Sequence, residues 1–352
     1  MSNDPATVMV TGASGYIAGW IVKYLLEAGH TVHATVRNPD KASTVAHLKA
    51  MADDSPGELK LFKANLLNKD DFDAPMKGCS VVIHTASPFI MSGYSDAYEA
   101  LVRPAVEGTR NVLNACNRTE SVKRVVVTSS VAAVFGDSSD LEASGKSAFD
   151  EDDWNKTSSV NHNPYQFSKV QAEREAWIIK TGQKRWKMVT INPAMVFGPS
   201  LTSASKSASI DTLRQLGDGR LKTGVPDLRF GVVDVRDVAR AHLLGAFNPD
   251  ADGRYLLVNK PLSLLAIASI LRDRFGDQYP FPKIKIPKTV VWSVGPLMGP
   301  ITRKFITRNV GKRVAFDNSR SLSLGVEYTP VEQTLQEHFQ QAIDDGLIRQ
   351  RH

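Results

Sequence analysis

Tyr165 and Lys169 stand four residues apart in the run Asn163-Pro-Tyr-Gln-Phe-Ser-Lys169. Asn163 suits a helix N-cap, and Pro164 suits the first helical position, where a missing N–H costs nothing. On that helix Tyr165 and Lys169 share a face, with Cβ atoms roughly 5–6 Å apart. A free phenol titrates near pH 10, too high for ready proton exchange at neutrality. A neighbouring ammonium and the positive end of the helix both favour the phenolate. The pair is therefore expected to form a general acid working near neutral pH, protonating a carbonyl oxygen as hydride reaches the carbon. Ser130 lies 35 residues upstream, at the end of an apolar run, and its hydroxyl is placed to donate to the same oxygen.

These residues need a scaffold, and the first 40 residues of the chain point to one. Thr7–Val10 reads as a strand, followed at once by Thr11-Gly-Ala-Ser-Gly-Tyr-Ile-Ala18. A helix then presents Ile17, Trp20, Ile21, Tyr24, Leu25 and Ala28 on one face, Gly29 ends it, and Thr31–Val36 is the next strand. Strand, glycine turn, helix and strand make the context that separates a dinucleotide loop from a chance glycine cluster. Gly12 serves the tight turn, Gly15 lets backbone approach a pyrophosphate, and Ala18 lets the helix pack closely. Arg37, at the end of the second strand, stands where an NAD-selective site would place an acid. Its guanidinium matches a ribose 2′-phosphate, with Lys41 one turn on, so NADPH is the expected cofactor.

The alternation continues through strands at Leu59–Ala64, Ser80–His84, Lys123–Thr128 and Trp186–Ile191, with a helix over Ala97–Cys116. Strands separated by helices call for a parallel sheet, whose ligands gather at the carboxyl ends of the strands. The clusters Asn65-Leu-Leu, Thr85-Ala-Ser-Pro-Phe89, Ser129-Ser130 and Asn192–Pro199 all fall there. The fold expected is a Rossmann-type doubly wound α/β sheet with a smaller C-terminal α/β substrate lobe. Residues 1–192 would form the cofactor domain and 193–352 mainly the lobe, with the chain interleaved between them. Asn192–Pro199 reads as a rigid loop, Ser200–Ser209 as a mobile one. Tyr255–Val258, Leu264–Phe275 and Val331–Ala342 are assigned to the lobe.

Composition sets bounds. Hydrophobic residues make 42% and charged residues 23% of 352, the balance of an ordinary globule. No apolar run reaches the roughly 20 residues that span a bilayer, and the N-terminus shows no signal peptide. Cys79 and Cys116 fit buried small hydrophobes in a reducing, cytoplasmic setting rather than a disulfide or metal site. The net charge of +6 is scattered except for Arg303–Arg313, which reads as a solvated face or subunit contact. No nucleic-acid or membrane partner is expected; the chain would be a monomer or homodimer. His84 reads as structural, and neither it nor His162 sits in a nucleophile or metal constellation.

Thr11–Ala18, the Ser130/Tyr165/Lys169 set and Asn192–Pro199 together resemble the extended short-chain dehydrogenase/reductase superfamily. Val36-Arg37, His84–Phe89, Val126–Phe135 and Phe230–Asp237 narrow the resemblance to the dihydroflavonol reductase/cinnamoyl-CoA reductase group, nearest to its NADPH-dependent aldehyde, ketone and methylglyoxal reductases. The resemblance spans roughly residues 6–275 and continues weakly beyond. It implies that Tyr165 donates the proton, Lys169 holds the nicotinamide ribose and lowers the tyrosine pKa, and Ser130 polarises the carbonyl. Gly12, Ser14, Gly15, Tyr16 and Ile17 would wrap the pyrophosphate, with Arg37 and Lys41 at the 2′-phosphate. Asn65 and Leu66 would meet the adenine, and Thr85, Ala86, Ser87, Thr128, Pro193 and Val196 would line the rest of the cofactor. Phe89, Val131 and Phe135 match the walls of the substrate pocket.

Three positions depart from that pattern. Asn65 replaces an aspartate, which tunes rather than removes the adenine contact. Phe135 stands where plant dihydroflavonol reductases carry a polar asparagine. Asn161-His-Asn-Pro-Tyr165 replaces the Lys-Asn-Trp-Tyr type of signature of cinnamoyl-CoA reductases, which argues against a CoA thioester. An apolar pocket favours simple aldehydes and ketones. The rival expectations are a sugar-nucleotide epimerase or dehydratase, a hydroxysteroid dehydrogenase and a non-catalytic NADPH sensor.

Overall fold

The computed structural model describes residues 4–87, 93–202, 207–298 and 301–348. Six strands, β1 (Thr7–Thr11), β2 (Thr31–Val36), β3 (Glu58–Lys63), β4 (Val81–His84), β5 (Arg124–Thr128) and β6 (Lys187–Pro193), alternate with helices as the sequence pattern requires. They join β10 (Gly253–Leu257) in one parallel sheet of order β10-β6-β5-β4-β1-β2-β3. The order reverses between β1 and β4, and that switch point opens a crevice at the carboxyl ends of both strands.

Successive strand residues face opposite sides, so each strand feeds two cores. Val8 and Val10 pack beneath the helices Tyr16–Glu27 and Val235–Phe247, together with Ile21, Leu25 and Val238. Met9, Val125 and Val127 face the other way, toward Val112 and Leu113 of Arg103–Arg118 and Ala176 of Pro164–Thr181. Both faces are covered, which is why the strands are nearly continuous apolar runs.

Two small sheets complete the molecule, β11 (Lys260–Ser263) with β9 (Arg229–Asp234) and β7 (Met195–Phe197), and β12 (Lys285–Ile286) with β8 (Val225–Pro226). A third core, built on Phe197, Leu213, Val232, Leu271, Leu335 and Phe339, lies under them. Two local expectations change. The stretch Asn192–Pro199 is not all loop, because Met195–Phe197 pairs in parallel with Val232–Asp234. Tyr255–Val258 does not belong to the lobe. Its buried apolar run pairs with β6 as the edge strand of the main sheet. The helix expected over Ala97–Cys116 begins as a π-turn at Tyr98–Val102 and runs on to Arg118. Of the serine-rich stretch 200–209, residues 203–206 lie outside the described residues.

Candidate active site

The glycine turn is held by its neighbours. Thr11 Oγ1, at the end of β1, accepts the amides of Thr85 (3.1 Å) and Ala86 (3.0 Å) and pairs with His84 Nδ1 at 2.8 Å. Burial first, and the charge of Lys169 second, bring His84 down to about 3, so the ring is neutral and Nδ1 accepts from the hydroxyl. This clamps the end of β4 against Gly12, which has φ +63°; a Cβ there would sit 3.0 Å from the Ala86 Cβ. Gly12 O accepts the Gly15 amide at 2.8 Å, closing the turn ahead of the helix Tyr16–Glu27. The first-turn amides of that helix have no acceptor within it, and the helix starts just past the end of β1, a ready seat for phosphate. Tyr16 donates its hydroxyl to Gly198 O, and Trp20 Nε1 donates to Pro199 O at 2.8 Å, so the glycine helix also anchors the turn after β7.

At the far end of this cleft Arg37 and Lys41 are exposed. Among the described residues neither side chain makes a hydrogen bond or ion pair. Asn65 Oδ1 accepts the Leu67 amide at 3.1 Å, and Leu66 O accepts Asn111 Nδ2 at 2.8 Å, so that turn is shaped by its own side chains. Thr128, at the end of β5, borders one small cavity with Ala86, Ser87 and Lys169. Its hydroxyl is hydrogen-bonded to His242 Nε2 at 2.7 Å, while His242 Nδ1 bonds Val238 O at 2.7 Å. Burial lowers His242 to about 4, so the ring is neutral and Thr128 is the donor.

The helix Pro164–Thr181 packs on the sheet face that carries Val125, Val127 and Met188. Lys169 Nζ donates to Ser87 Oγ at 2.9 Å and sits 5.6 Å from the centre of the Tyr165 ring. Burial pulls Lys169 down to about 8 and pushes Tyr165 up to about 12. The expected fall of the tyrosine toward neutrality is thereby corrected. Both groups lose water together, and in this structure that loss outweighs the attraction of the ammonium for a phenolate. Tyr165 is thus protonated at neutral pH, beside an ammonium that still carries its charge there.

Ser130 caps the short turn Val131–Ala133, its Oγ accepting the Ala132 amide at 3.1 Å and reaching Pro193 O at 3.5 Å. Behind it lies a buried ionic centre that sequence reasoning missed. Glu173, one turn beyond Lys169, accepts from Ser129 Oγ, Asn192 Nδ2 (2.7 Å), Thr190 Oγ1 (3.3 Å) and Arg254 Nε (2.7 Å). Asn192 Nδ2 also donates to Ser130 O at 3.2 Å. The carboxylate therefore ties the Tyr165 helix to the end of β5, to β6 and to the start of β10. Its spacing from Lys169 was legible; its partner Arg254, 81 residues away, was not.

Of the expected pocket walls, Phe89 lies outside the described residues. Val131 and Phe135 pack against a cluster of Val134, Leu141, Phe149 and Leu256. Phe135 stacks on Phe149 with centroids 4.7 Å apart and meets Phe316 at 5.6 Å, adding two aromatic residues that the sequence did not single out. Pro193 ends β6, and Val196 lies in β7 opposite Val233. Asn163 does not cap the helix through its side chain. It takes the left-handed conformation, φ +57°, and its amide bonds elsewhere. Cys79 and Cys116 are free and buried, and burial raises both thiols. Among the described residues no helix is long and apolar enough to cross a membrane.

Comparison with known proteins shows the family and the fold. The NAD dependent epimerase/dehydratase family matches residues 8–259. The chain is 37% identical to cinnamoyl-CoA reductase CAD2 of Medicago truncatula, over 96% of this chain and 95% of that protein. Its fold is similar to that of Gre2 from Candida albicans in complex with NADPH, with a TM-score of 0.76 at 28% identity, covering 97% and 99% of the two chains. Yeast methylglyoxal/isovaleraldehyde reductase Gre2, complexed with NADPH, gives 0.75 at 26% identity, covering 97% of this chain and 100% of that one. The chain belongs to the NAD dependent epimerase/dehydratase family, among the extended short-chain dehydrogenases/reductases, and is an oxidoreductase related to the cinnamoyl-CoA and dihydroflavonol reductases.

Proposed function

We propose that this protein is an NADPH-dependent carbonyl reductase that converts aldehydes and ketones to alcohols. The observation that carries the reading is Lys169 beside Tyr165 and bonded to Ser87 just past β4, with Ser130 just past β5 and capping a turn that contacts the same helix. The cleft fits the cofactor. The close approach of Gly12 to Ala86 leaves no room for a side chain, and Arg37 and Lys41 are exposed without acidic partners. Gly12, Ser14, Gly15, Tyr16 and Ile17 would hold the pyrophosphate and Arg37 with Lys41 the 2′-phosphate; Asn65 and Leu66 would flank the adenine. Thr85, Ala86, Ser87, Thr128, Pro193 and Val196 would line the remainder. NADPH, when bound, supplies the hydride.

This chain's own residues do the rest. Tyr165 donates its proton to the carbonyl oxygen as negative charge develops there. The Lys169 ammonium stabilises the phenolate that Tyr165 becomes, and the Ser130 hydroxyl donates a second hydrogen bond to the same oxygen. Phe135, Val131 and the aromatic pair Phe149/Phe316 keep water from that oxygen, strengthening each of these interactions. The substrate is a small carbonyl compound with an apolar substituent.

Turnover is tested by loss of NADPH absorbance with an aryl ketone, an aliphatic aldehyde, methylglyoxal, a dihydroflavonol and a cinnamoyl-CoA. Turnover of the simple carbonyls is the expected result. The identity shared with a cinnamoyl-CoA reductase favours a second reading, a CoA thioester substrate. Activity confined to the cinnamoyl-CoA would establish it against the first. Silence across the panel, with NADPH bound, would move the assignment to a sugar nucleotide, a steroid or a sensor.

Two further results are expected. Arg37→Ser should raise the KM for NADPH about 10- to 100-fold, the worth of one charge-assisted hydrogen-bonded contact, with little change for NADH. Equal losses with both cofactors would remove Arg37 from the 2′-phosphate. Lys169 is charged below about 8 and neutral above it, so reduction should hold steady at lower pH and decline as pH rises through that value. A kcat profile at saturating NADPH that stays flat well beyond pH 8 would contradict this role.

A further inference from the structure

Tyr165 begins its helix from an unusual place. Asn163 is the one non-glycine residue with positive φ among those described, and it stands two residues before the tyrosine. Asparagine tolerates this conformation better than most residues, but it persists only where the surroundings hold it. A tight turn precedes it, closed by the Ser159 amide to His162 O (2.8 Å) and the His162 amide to Ser159 O (3.1 Å). The Asn163 side chain then donates to Gly136 O at 2.9 Å and to Asp137 Oδ1 at 3.0 Å.

Asp137 is fully buried and gathers more than this. His162 Nε2 meets its Oδ2 at 2.8 Å, and Asn309 Nδ2 donates to its Oδ1 at 2.8 Å. Arg308, from the same C-terminal helix Arg303–Asn309, reaches Oδ2 at 3.2 Å. Asn309 Oδ1 in turn accepts the Ser138 amide at 2.8 Å. The loop carrying Asp137 is itself fixed, because Asp140 Oδ2 accepts the amides of Gly136 and Asp137, both at 3.0 Å. Gly136 has no room for a Cβ, which would lie within 2.4–2.7 Å of Thr157, Ser158 and Asn155. Burial works to raise the Asp137 carboxyl, and hydrogen bonds from His162 and Asn309 outweigh it, leaving it below the usual carboxylate range.

We propose that Asp137 is a positioning residue for proton transfer, resting on the reading of Tyr165 as the donor. It holds Asn163 in the left-handed turn from which the helix of Tyr165 and Lys169 starts. It also ties that start to Phe135, two residues before it, and to the C-terminal helix through Asn309 and Arg308. One carboxylate thus fixes the proton donor, a wall of the pocket and an element of the C-terminal lobe relative to one another. His162, which carried no role in the sequence, acts here by holding the carboxylate through Oδ2.

Asn163→Gly is the decisive variant. Glycine adopts the left-handed turn freely, so the backbone is permitted while the link to Asp137 is lost. With an aryl ketone and NADPH, kcat should fall about 10- to 100-fold, the cost of a modest misplacement of a reacting group. The dissociation constant for NADPH, read by fluorescence, and the thermal midpoint should change little. Asp137→Asn should reproduce the fall in kcat, since an amide cannot accept from all of these donors. Tyr165→Phe is run beside them. If it abolishes turnover while Asn163→Gly keeps the full kcat, the positioning role is wrong and the turn is merely structural. If Tyr165→Phe itself keeps full turnover, the donor assignment fails instead. A loss in Asn163→Gly that appears only as weaker NADPH binding would also overturn the proposal.

Discussion

Tyr165→Phe is expected to lower kcat for carbonyl reduction roughly 10²- to 10⁴-fold, the usual contribution of a positioned general acid. The change removes one oxygen from a ring that packs beside Lys169 Nζ, 5.6 Å from its centre, so helix and cleft should survive. NADPH affinity, measured by fluorescence titration, should stay within a few-fold of the parent, because Lys169 keeps its bond to Ser87. The protonation states favour a large effect. Burial holds Tyr165 at about 12, so the phenol is loaded at any pH where the enzyme would be assayed. Such a weak acid gives up its proton only when the phenolate is stabilised, and the adjacent ammonium provides that stabilisation. Turnover in the phenylalanine variant close to the parent's, with NADPH bound normally, would mean that water or another group supplies the proton.

How much of this was legible in the sequence depended on the range of the interactions. The glycine turn, the strand ends and the Tyr165/Lys169 pair are local patterns, with periods and spacings of a few residues, and the parallel sheet that they call for is the one observed. Short range also set the limits of that reading. The neutral-range tyrosine was inferred from one neighbour and one helix end, whereas burial is a property of everything packed above them. The Thr128 hydroxyl has a partner that the strand-end pattern does not reveal, His242, 114 residues away. Asn163 read as an ordinary cap because its composition fits one, while its actual conformation is dictated by Asp137, a contact across 26 residues. β10 went to the wrong lobe because a short buried strand carries no mark of the sheet it will join. Local grammar was readable, and the tertiary partners that decide charge state and orientation were not.

The same distinction explains why the largest loss of stability is expected at a position with no motif at all. Arg254→Met should destabilise the fold by roughly 3–5 kcal/mol, because it leaves the Glu173 carboxylate buried without its cation. Glu173 is 1% exposed and Arg254 is 7% exposed, so solvent screens neither charge. The guanidinium also donates to Glu151 O and Asp153 O, both at 2.6 Å, and lies 4.0 Å over the Trp154 ring. Methionine preserves much of the volume but none of those bonds. The thermal midpoint should therefore drop sharply in Arg254→Met. Pairing it with Glu173→Gln should recover a large part of the loss, because the stranded charge is gone. Recovery of stability need not bring recovery of rate. Asn192 Nδ2 spans from Glu173 to Ser130 O, so the double variant should regain its fold while kcat stays depressed at saturating NADPH. Losses in the double variant equal to the sum of the single ones would show that the two residues do not act as a pair, and would remove the ionic centre from the account of how Asn192 holds Ser130 O.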